Sequence, residues 1–519
     1  MKRLLLFASL AVAACCREGS ETDYVRYVDP YIGTGGHGHV FMGASVPFGM
    51  VQLGPTSIPQ SWDWTSGYHI SDTTVIGFAH THLSGTGIGD LGDIVLTPVA
   101  GEVALGRGVE EDPASGQWSY FRRANERCAP GYYATRLERY WIDVELTATE
   151  RVGLHRYTFP ATDDARVVID LADGQCWDGP VNSCIVQTSD TTLTGYRFSK
   201  GWARDQRVWF TAHFSKPIKR LLLSEGNGAR ESATSLRGVR VFGQACFGDV
   251  GSVMIKVALS PVSVENAEAN MLAEASGWDF EAAVAAARTK WNAELGKIAI
   301  ETDDPAVKKI FYTGLYHTMI APSLYCDANG DYRGADSEAH RDGGFVNYTT
   351  LSLWDTYRAA HPLMTIIHPE RVPDMINAML HIYKQQGKLP VWHLMGCETD
   401  CMVGNPAICV VADALLKGFG GFDRELACEA MSRSAMLDER GLGLLKKYGY
   451  IPSDLYNESV ATCMEYAIAD WALAQAAQRM GRQDDHKYFL DRSRSYRRYF
   501  DPSTGFMRGR LSDGSLRAP

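Results

Sequence analysis

From Asp23 to about Pro261 the apolar residues fall in short runs, many alternating with polar ones, and Gly, Pro, Asn and Asp separate the runs. Segments 94–99, 136–149, 167–171, 219–224, 239–242 and 252–259 have the two-residue period and β-branched content of strands. Many short strands with no helical period between them predict a large antiparallel β-sandwich. Residues 267–295 then change to an Ala-, Glu- and Lys-rich helical period, as a helical linker does. At Asp304 an acidic cap, Pro305 at the first helical position and Val307, Ile310, Phe311, Leu315 and Met319 along one face predict a helix. Comparable helices are expected at 354–367, 371–386, 406–418, 423–436, 458–480 and 485–500. The expected organisation is a signal peptide and tether at 1–22, a sandwich at 23–265, a helical linker at 266–300 and a helical domain at 301–519. If these seven helices belong to a double ring of six helix pairs, about five are absent and apolar faces stay open, so an incomplete ring is expected.

Length agrees with more than one domain, since the chain has 519 residues and single cores stop growing near roughly 250 to 300. A net charge of -10 and a pI near 5.8 exclude a partner held mainly through phosphates, so no nucleic-acid partner is expected. At the N-terminus Lys2 and Arg3 precede an apolar run from Leu4 to Ala14 that is too short to span a bilayer. Val12-Ala13-Ala14-Cys15 resembles a bacterial lipobox, in which Cys15 takes the lipid and becomes the mature N-terminus; a plain secretory signal is the alternative. The expectation is an exported lipoprotein of the outer membrane, on its periplasmic face or at the cell surface, touching membrane only through that anchor. Twelve cysteines become eleven without Cys15, an odd number without metal-ligand spacing, so most are expected to be buried and reduced. Cys176 with Cys184, then Cys397 with Cys401, are the pairs to examine for disulfides.

Several motifs lead nowhere by spacing alone. Gly33 to Gly38 formally fits a dinucleotide fingerprint but lacks the strand before and the helix after that the fingerprint needs. His37 with His39, and His80 with His82, have the spacing of zinc ligands on one side of a strand or of hydrogen-bonded loop histidines. Asp327, Asn329, Asp331 and Glu338 occupy ligand places of a calcium loop, yet Tyr332 stands where glycine is needed, and Asn329-Gly330 predicts a turn instead. Leu353-Trp354-Asp355-Thr356-Tyr357-Arg358 and the stretch from Leu389 to Asp400 each set a Trp beside an acid at a helix start. A Trp face stacks on the C–H surface of a pyranose, while carboxylate and guanidinium groups grip hydroxyl pairs. The spacing fits equally well a capping Asp355, a core Trp354 and an Arg358 paired with Asp355 along the helix. Glu398, Asp400, Glu458, Glu465 and Asp470 are candidates for acid–base work that no pattern ranks.

Taken together with Val28 to His39, Pro47 to Leu53, Gly77 to Gly87 and Phe506 to Arg510, the segment Ser352 to Arg358 resembles glycoside hydrolase family 92. These are calcium-dependent, exo-acting α-mannosidases of the Bacteroidetes type. The resemblance implies an N-terminal β-sandwich (supersandwich), a helical linker and an (α/α)6 barrel. It implies inverting hydrolysis of terminal α-mannosides, often α-1,2-linked and including N-glycans, with Ca2+ gripping the sugar hydroxyls. Carried onto this chain, Trp354, Asp355, Arg358, Trp392 and Glu398 would line the mannose pocket, and His82 with Trp64 would reach it from the sandwich. Cys397 departs from the family's usual Asn, and Asn405-Pro406-Ala407 stands where a His often precedes the Ala. The family's acid motif, Glu-Gly-Asn-Ala-Trp-Gln-Tyr, and the Asp-Asp pair holding its base do not occur here. No catalytic carboxylate is therefore expected before Pro519, and the chain is expected to be inactive as written. A non-catalytic, mannoside-binding surface lipoprotein is the alternative.

Overall fold

A computed structural model describes residues 22–518 except 113, 173–176, 227 and 229. The expected signal peptide with Cys15, and Cys176 of the first candidate disulfide, lie outside the described residues. Two antiparallel sheets form the first half. One has seven strands in the order Gly54–Thr56, Gly77–Ala79, Val95–Ala100, Ala165–Asp170, Val241–Gly248, Arg220–Glu225, Glu231–Ser232. The other has nine: Ser235–Gly238, Gly179–Ser189, Thr192–Lys200, Gln206–Phe214, Ser252–Ser260, Val152–Thr158, Ile142–Ala148, Tyr132–Leu137, Arg127–Ala129. Alternate residues such as Val144 and Leu146, Val208 and Phe210, and Val253 and Ile255 point into the core they share with Phe78, Leu96, Val167 and Phe247.

The single strand expected at 136–149 is instead a hairpin, with Leu137 opposite Ile142 and Trp141 at a φ of 55° in its turn. No Gly, Pro, Asn or Asp marks that reversal, so its usual sequence signal is missing. The strand Thr192–Lys200 escaped notice for another reason. Its inward positions include Arg197 and Ser199, both buried, which break the apolar alternation.

The linker is two helices, α1 (Val264–Glu274) and α2 (Phe280–Leu295), interrupted near Gly277 and restarted by Asp279, whose carboxylate accepts from Ala282 N at 2.9 Å. Met271, Ala275 and Phe280 cover Val152, Leu154 and Ala258 on the outer face of the larger sheet. The rest is helical: α3 (Pro305–His317), α4 (Leu353–Thr356), α5 (Ala360–Ile367), α6 (Val372–Gln386), α7 (Pro406–Leu416), α8 (Arg424–Met436), α9 (Leu442–Tyr448), α10 (Ser459–Arg479) and α11 (Gln483–Arg492). Asp304 and Pro305 start α3 as expected, but its buried side is Tyr312, Leu315, Tyr316 and Met319, whereas Val307 and Ile310 are 46% and 65% exposed. Only the C-terminal half of that helix is packed. The segment 354–367 divides into α4 and α5 because Pro362, tolerated in a first turn, restarts the helix. The short α9, set between Gly441 and Gly449 at φ of 84° and 73°, was not expected.

Sandwich and helices are knitted together rather than strung apart. Phe48 N donates to Met319 O at 2.7 Å, Leu324 N to Phe48 O at 2.9 Å, and Trp291 Nε1 to Ser45 O at 2.6 Å. The stretch with calcium-loop spacing is a turn, with Gly330 N on Asp327 O at 2.9 Å. The Asp327 carboxylate accepts from Ser260, Asn266 and Asn270 at 2.7–2.8 Å, fastening the linker to the helical half. All nine described cysteines are free thiols, Cys397 and Cys401 among them. Among the described residues no helix is long and apolar enough to cross a membrane.

Candidate functional site

A three-stranded sheet, Leu351–Ser352 with Trp392–Leu394 and Cys397–Glu398, brings the two Trp–acid motifs together. Ser352 lies opposite Trp392, and His393 opposite Glu398. Two residues after that pairing, Trp354 and Asp355 open α4. Asp355 is exposed and accepts a hydrogen bond from Ser352 Oγ. Arg358 packs its guanidinium 5.4 Å from the centre of the Trp354 ring. It pairs with Glu465 of α10, not with Asp355, and Tyr357 donates to the other oxygen of Glu465 at 2.7 Å. Trp354, Asp355, Arg358, Trp392 and Glu398 thus share one neighbourhood. Within it Trp392 is only 2% exposed. The Glu398 carboxylate accepts from the backbone N–H of Val391, Trp392 and Asp400 at 2.9 Å each, which holds the 391–400 turn.

The two sandwich residues expected to join them differ in place. His82 is buried at the junction of the two halves, its Nδ1 2.7 Å from Gln52 O, and burial pulls its pKa down to about 4, so the ring is neutral at pH 7. Among the described residues its Nε2, Gln52 Oε1 and Tyr325 OH have no hydrogen-bond partner, and all three residues line a cavity of about 20 Å³. That is room for a water or two, at roughly 10–15 Å³ each, and not for a sugar ring. Trp64 sits in the 61–72 turn of the sandwich, its Nε1 donating to Asp72 at 2.6 Å and its ring 4.7 Å from that of His69.

Of the other histidines in the two spaced pairs, His80 and His37 have partners within the sandwich. His80 Nδ1 lies 2.6 Å from Ile94 O, and its Nε2 meets His155, which in turn meets Tyr157, all inside the core. His37 Nδ1 contacts Asp63 at 2.6 Å. Among the described residues no group of three or more His, Cys, Asp or Glu side chains is placed to hold a metal ion. No carboxylate cluster for the Ca2+ that the resemblance implies is thus present among the described residues, and no chemical step here runs through a metal.

Four of the five acid–base candidates already have partners. Glu398 and Glu465 are engaged as described, Asp400 meets Lys388 at 2.8 Å, and Asp470 meets Arg492 at 2.6 Å. Burial pushes the Asp470 carboxyl upward against the pull of that guanidinium. Glu458 is exposed at the head of α10.

What sequence reading missed is the loop 201–205. Trp202 packs on Trp392, ring centres 4.6 Å apart, and Asp205 pairs with Arg333 at 2.6 Å. Cys397 Sγ donates to Asp205 O at 3.6 Å. The strand beneath it was hidden by its buried Arg197, so only an aromatic residue in a loop, Trp202, was there to find.

The profile of the glycosyl hydrolase family 92 N-terminal domain matches residues 27–260, and that of the family 92 catalytic domain matches residues 266–519. The chain belongs to glycosyl hydrolase family 92. A family 92 α-mannosidase from Bacteroides thetaiotaomicron, solved in complex with mannoimidazole, is 38% identical with a TM-score of 0.92, over 96% of this chain and 67% of that one. A second protein from that organism, described as an inverting mannosidase, is 27% identical with a TM-score of 0.86, over 96% and 68%. An uncharacterised secreted glycosidase of Arthroderma benhamiae is 26% identical over 94% of this chain. This chain spans 64% of that curated relative's length.

Proposed function

We propose that this chain carries the mannoside-binding part of a family 92 exo-α-mannosidase. The observation that carries the reading is the pairing of Ser352 with Trp392, which gathers two aromatic–acid motifs, and with them Arg358, around one small sheet. An aromatic face for the pyranose C–H surface and a guanidinium beside carboxylates for its hydroxyls are what a sugar pocket needs. The mannoimidazole bound by the 38% identical relative supports mannose as the sugar. On this reading the substrate is a terminal α-mannoside, α-1,2-linked ones and N-glycans included, and hydrolysis proceeds with inversion.

Inversion requires an acid and a base roughly 6.5–9.5 Å apart, leaving space for a water. Glu398, Asp400, Glu465 and Asp470 are held by other partners and Glu458 is exposed at the head of α10, so we assign neither acid nor base to these five carboxylates. Cys15 is assigned the lipid that anchors an exported protein. The same committed carboxylates favour a second reading, a lipoprotein that captures mannosides without cleaving them. The test is mannose release from α-1,2-mannobiose, with and without a chelator, by the chain alone and by the chain extended with the remaining third of a relative. Calcium-dependent release by the extended form alone supports the enzyme. Binding by the chain with no release from either form supports capture, and neither binding nor release refutes both.

A further inference from the structure

We propose that the sandwich contributes to sugar recognition through the loop 201–205, with Trp202 as the aromatic platform and Arg204 as the hydroxyl-gripping cation, an inference that rests on the mannoside-binding reading above. Trp392 cannot serve as that platform in this arrangement, being 2% exposed. What covers it is Trp202, half-buried, its ring inclined at 65° to Trp392. Of the two rings, Trp202 is the one that keeps part of its surface exposed.

The loop is built to stay where it is. Asp90 accepts from Ala203 N at 2.8 Å, and Ala203 O accepts from Gly201 N at 3.1 Å. A Cβ at Gly201 would stand 2.6 Å from Asp90 Oδ1 and 2.7 Å from Asp178 Cβ, so only glycine lets the chain approach this closely. Beneath it Arg197, fully buried, donates to Asp93 at 2.6 Å and to Asp178 at 2.9 Å. At the far end Asp205 ties the loop to Arg333 and Cys397 of the helical half. A loop anchored at both ends holds a Trp face without loss of side-chain freedom on binding, and preorganisation of this kind raises affinity.

Arg204 completes the argument. It is exposed, and among the described residues no carboxylate pairs with it. It directly precedes Asp205, whose carbonyl accepts from Cys397 Sγ at 3.6 Å, so it stands beside the 391–400 hairpin of the Trp–acid motif. A guanidinium with unused planar donors beside an aromatic face suits the vicinal hydroxyls of a hexose. Cys397 also gains a role: its thiol holds the backbone of this loop, so the residue that departs from the family's usual Asn bears on how the platform is set.

The test is titration of the whole chain with α-1,2-mannobiose, by calorimetry and tryptophan fluorescence, for wild type, Trp202→Ala, Arg204→Gln and Trp141→Ala. Trp141, 61% exposed on the sandwich hairpin, is the control. Wild type and Trp141→Ala are expected to bind alike, and Trp202→Ala and Arg204→Gln to bind roughly three- to tenfold more weakly. Arg204→Gln changes an exposed side chain, so its result stands even if Trp202→Ala disturbs the fold. If wild type binds and both variants match it, the loop has no such role and the site reading survives. If wild type does not bind, the site reading falls and this inference with it.

Discussion

Replacing Asp470 with Asn strands a buried cation and gives a measurable prediction. The side chains of Asp470 and Arg492 are 2% and 7% exposed, and the guanidinium makes two bonds to the carboxylate, at 2.6 and 2.7 Å, joining α10 to α11. Arg492 keeps its bonds to Ala435 O at 2.9 Å and to Met436 Sδ at 3.4 Å. Removing one partner from a buried pair costs about 3–5 kcal/mol, and because Asn still offers one acceptor oxygen, the expected loss is near the lower end, about 3 kcal/mol. At about 2–4 °C per kcal/mol for a unit of this size, Tm falls by about 6–12 °C. The assay is thermal and urea unfolding followed by far-UV circular dichroism. Asp470→Leu combined with Arg492→Met removes both charges and is expected to lie within about 1 kcal/mol of wild type. A single-variant loss below about 1 kcal/mol, or a double variant no better than the single one, would refute the reasoning.

Acid is expected to destabilise the fold through its buried histidines. Burial lowers His80, His82, His361 and His393 from 6.5 to about 4. Below pH 6.5 the unfolded chain takes up protons that the folded one refuses until about pH 4, so stability present at neutral pH is lost across that interval. Each histidine contributes a slope of up to about 1.4 kcal/mol per pH unit, and His82→Gln should flatten urea midpoints against pH by that share. Gly195→Ala should cost about 3 kcal/mol in the same unfolding assay, because a Cβ there would lie 1.9 Å from Cys184 O across the hairpin. Glu465→Gln removes the charge and one of the two oxygens that hold Arg358 and Tyr357, and mannobiose titration should show affinity reduced about threefold or more with the far-UV spectrum unchanged.

Much of the fold was legible because burial follows period. The strands Val95–Ala100 and Ser252–Ser260 and the helices α6, α7 and α8 lie within about two residues of the pattern that announced them, the usual scatter of element ends. Failures occurred where buried side chains are polar or where a turn lacks its usual residues. Arg197 hides a strand because its charge is met by Asp93 and Asp178, partners 104 and 19 residues away that no local pattern reveals. Trp141 turns a hairpin without glycine. At the site, Trp354, Asp355, Arg358, Trp392 and Glu398 announced themselves as motifs, and the sheet register gathers them. Their partners could not be read. That Glu465 rather than Asp355 holds Arg358 depends on how α10 packs, and that Trp202 covers Trp392 depends on a long-range contact between the two halves.

The central claim is tested most directly by following α-1,2-mannobiose with the unextended 519-residue chain by proton NMR, which reads binding from ligand line width and turnover from new anomeric signals. The account predicts broadened ligand signals and no released mannose, with or without calcium. Accumulation of β-mannose from this chain alone would contradict it.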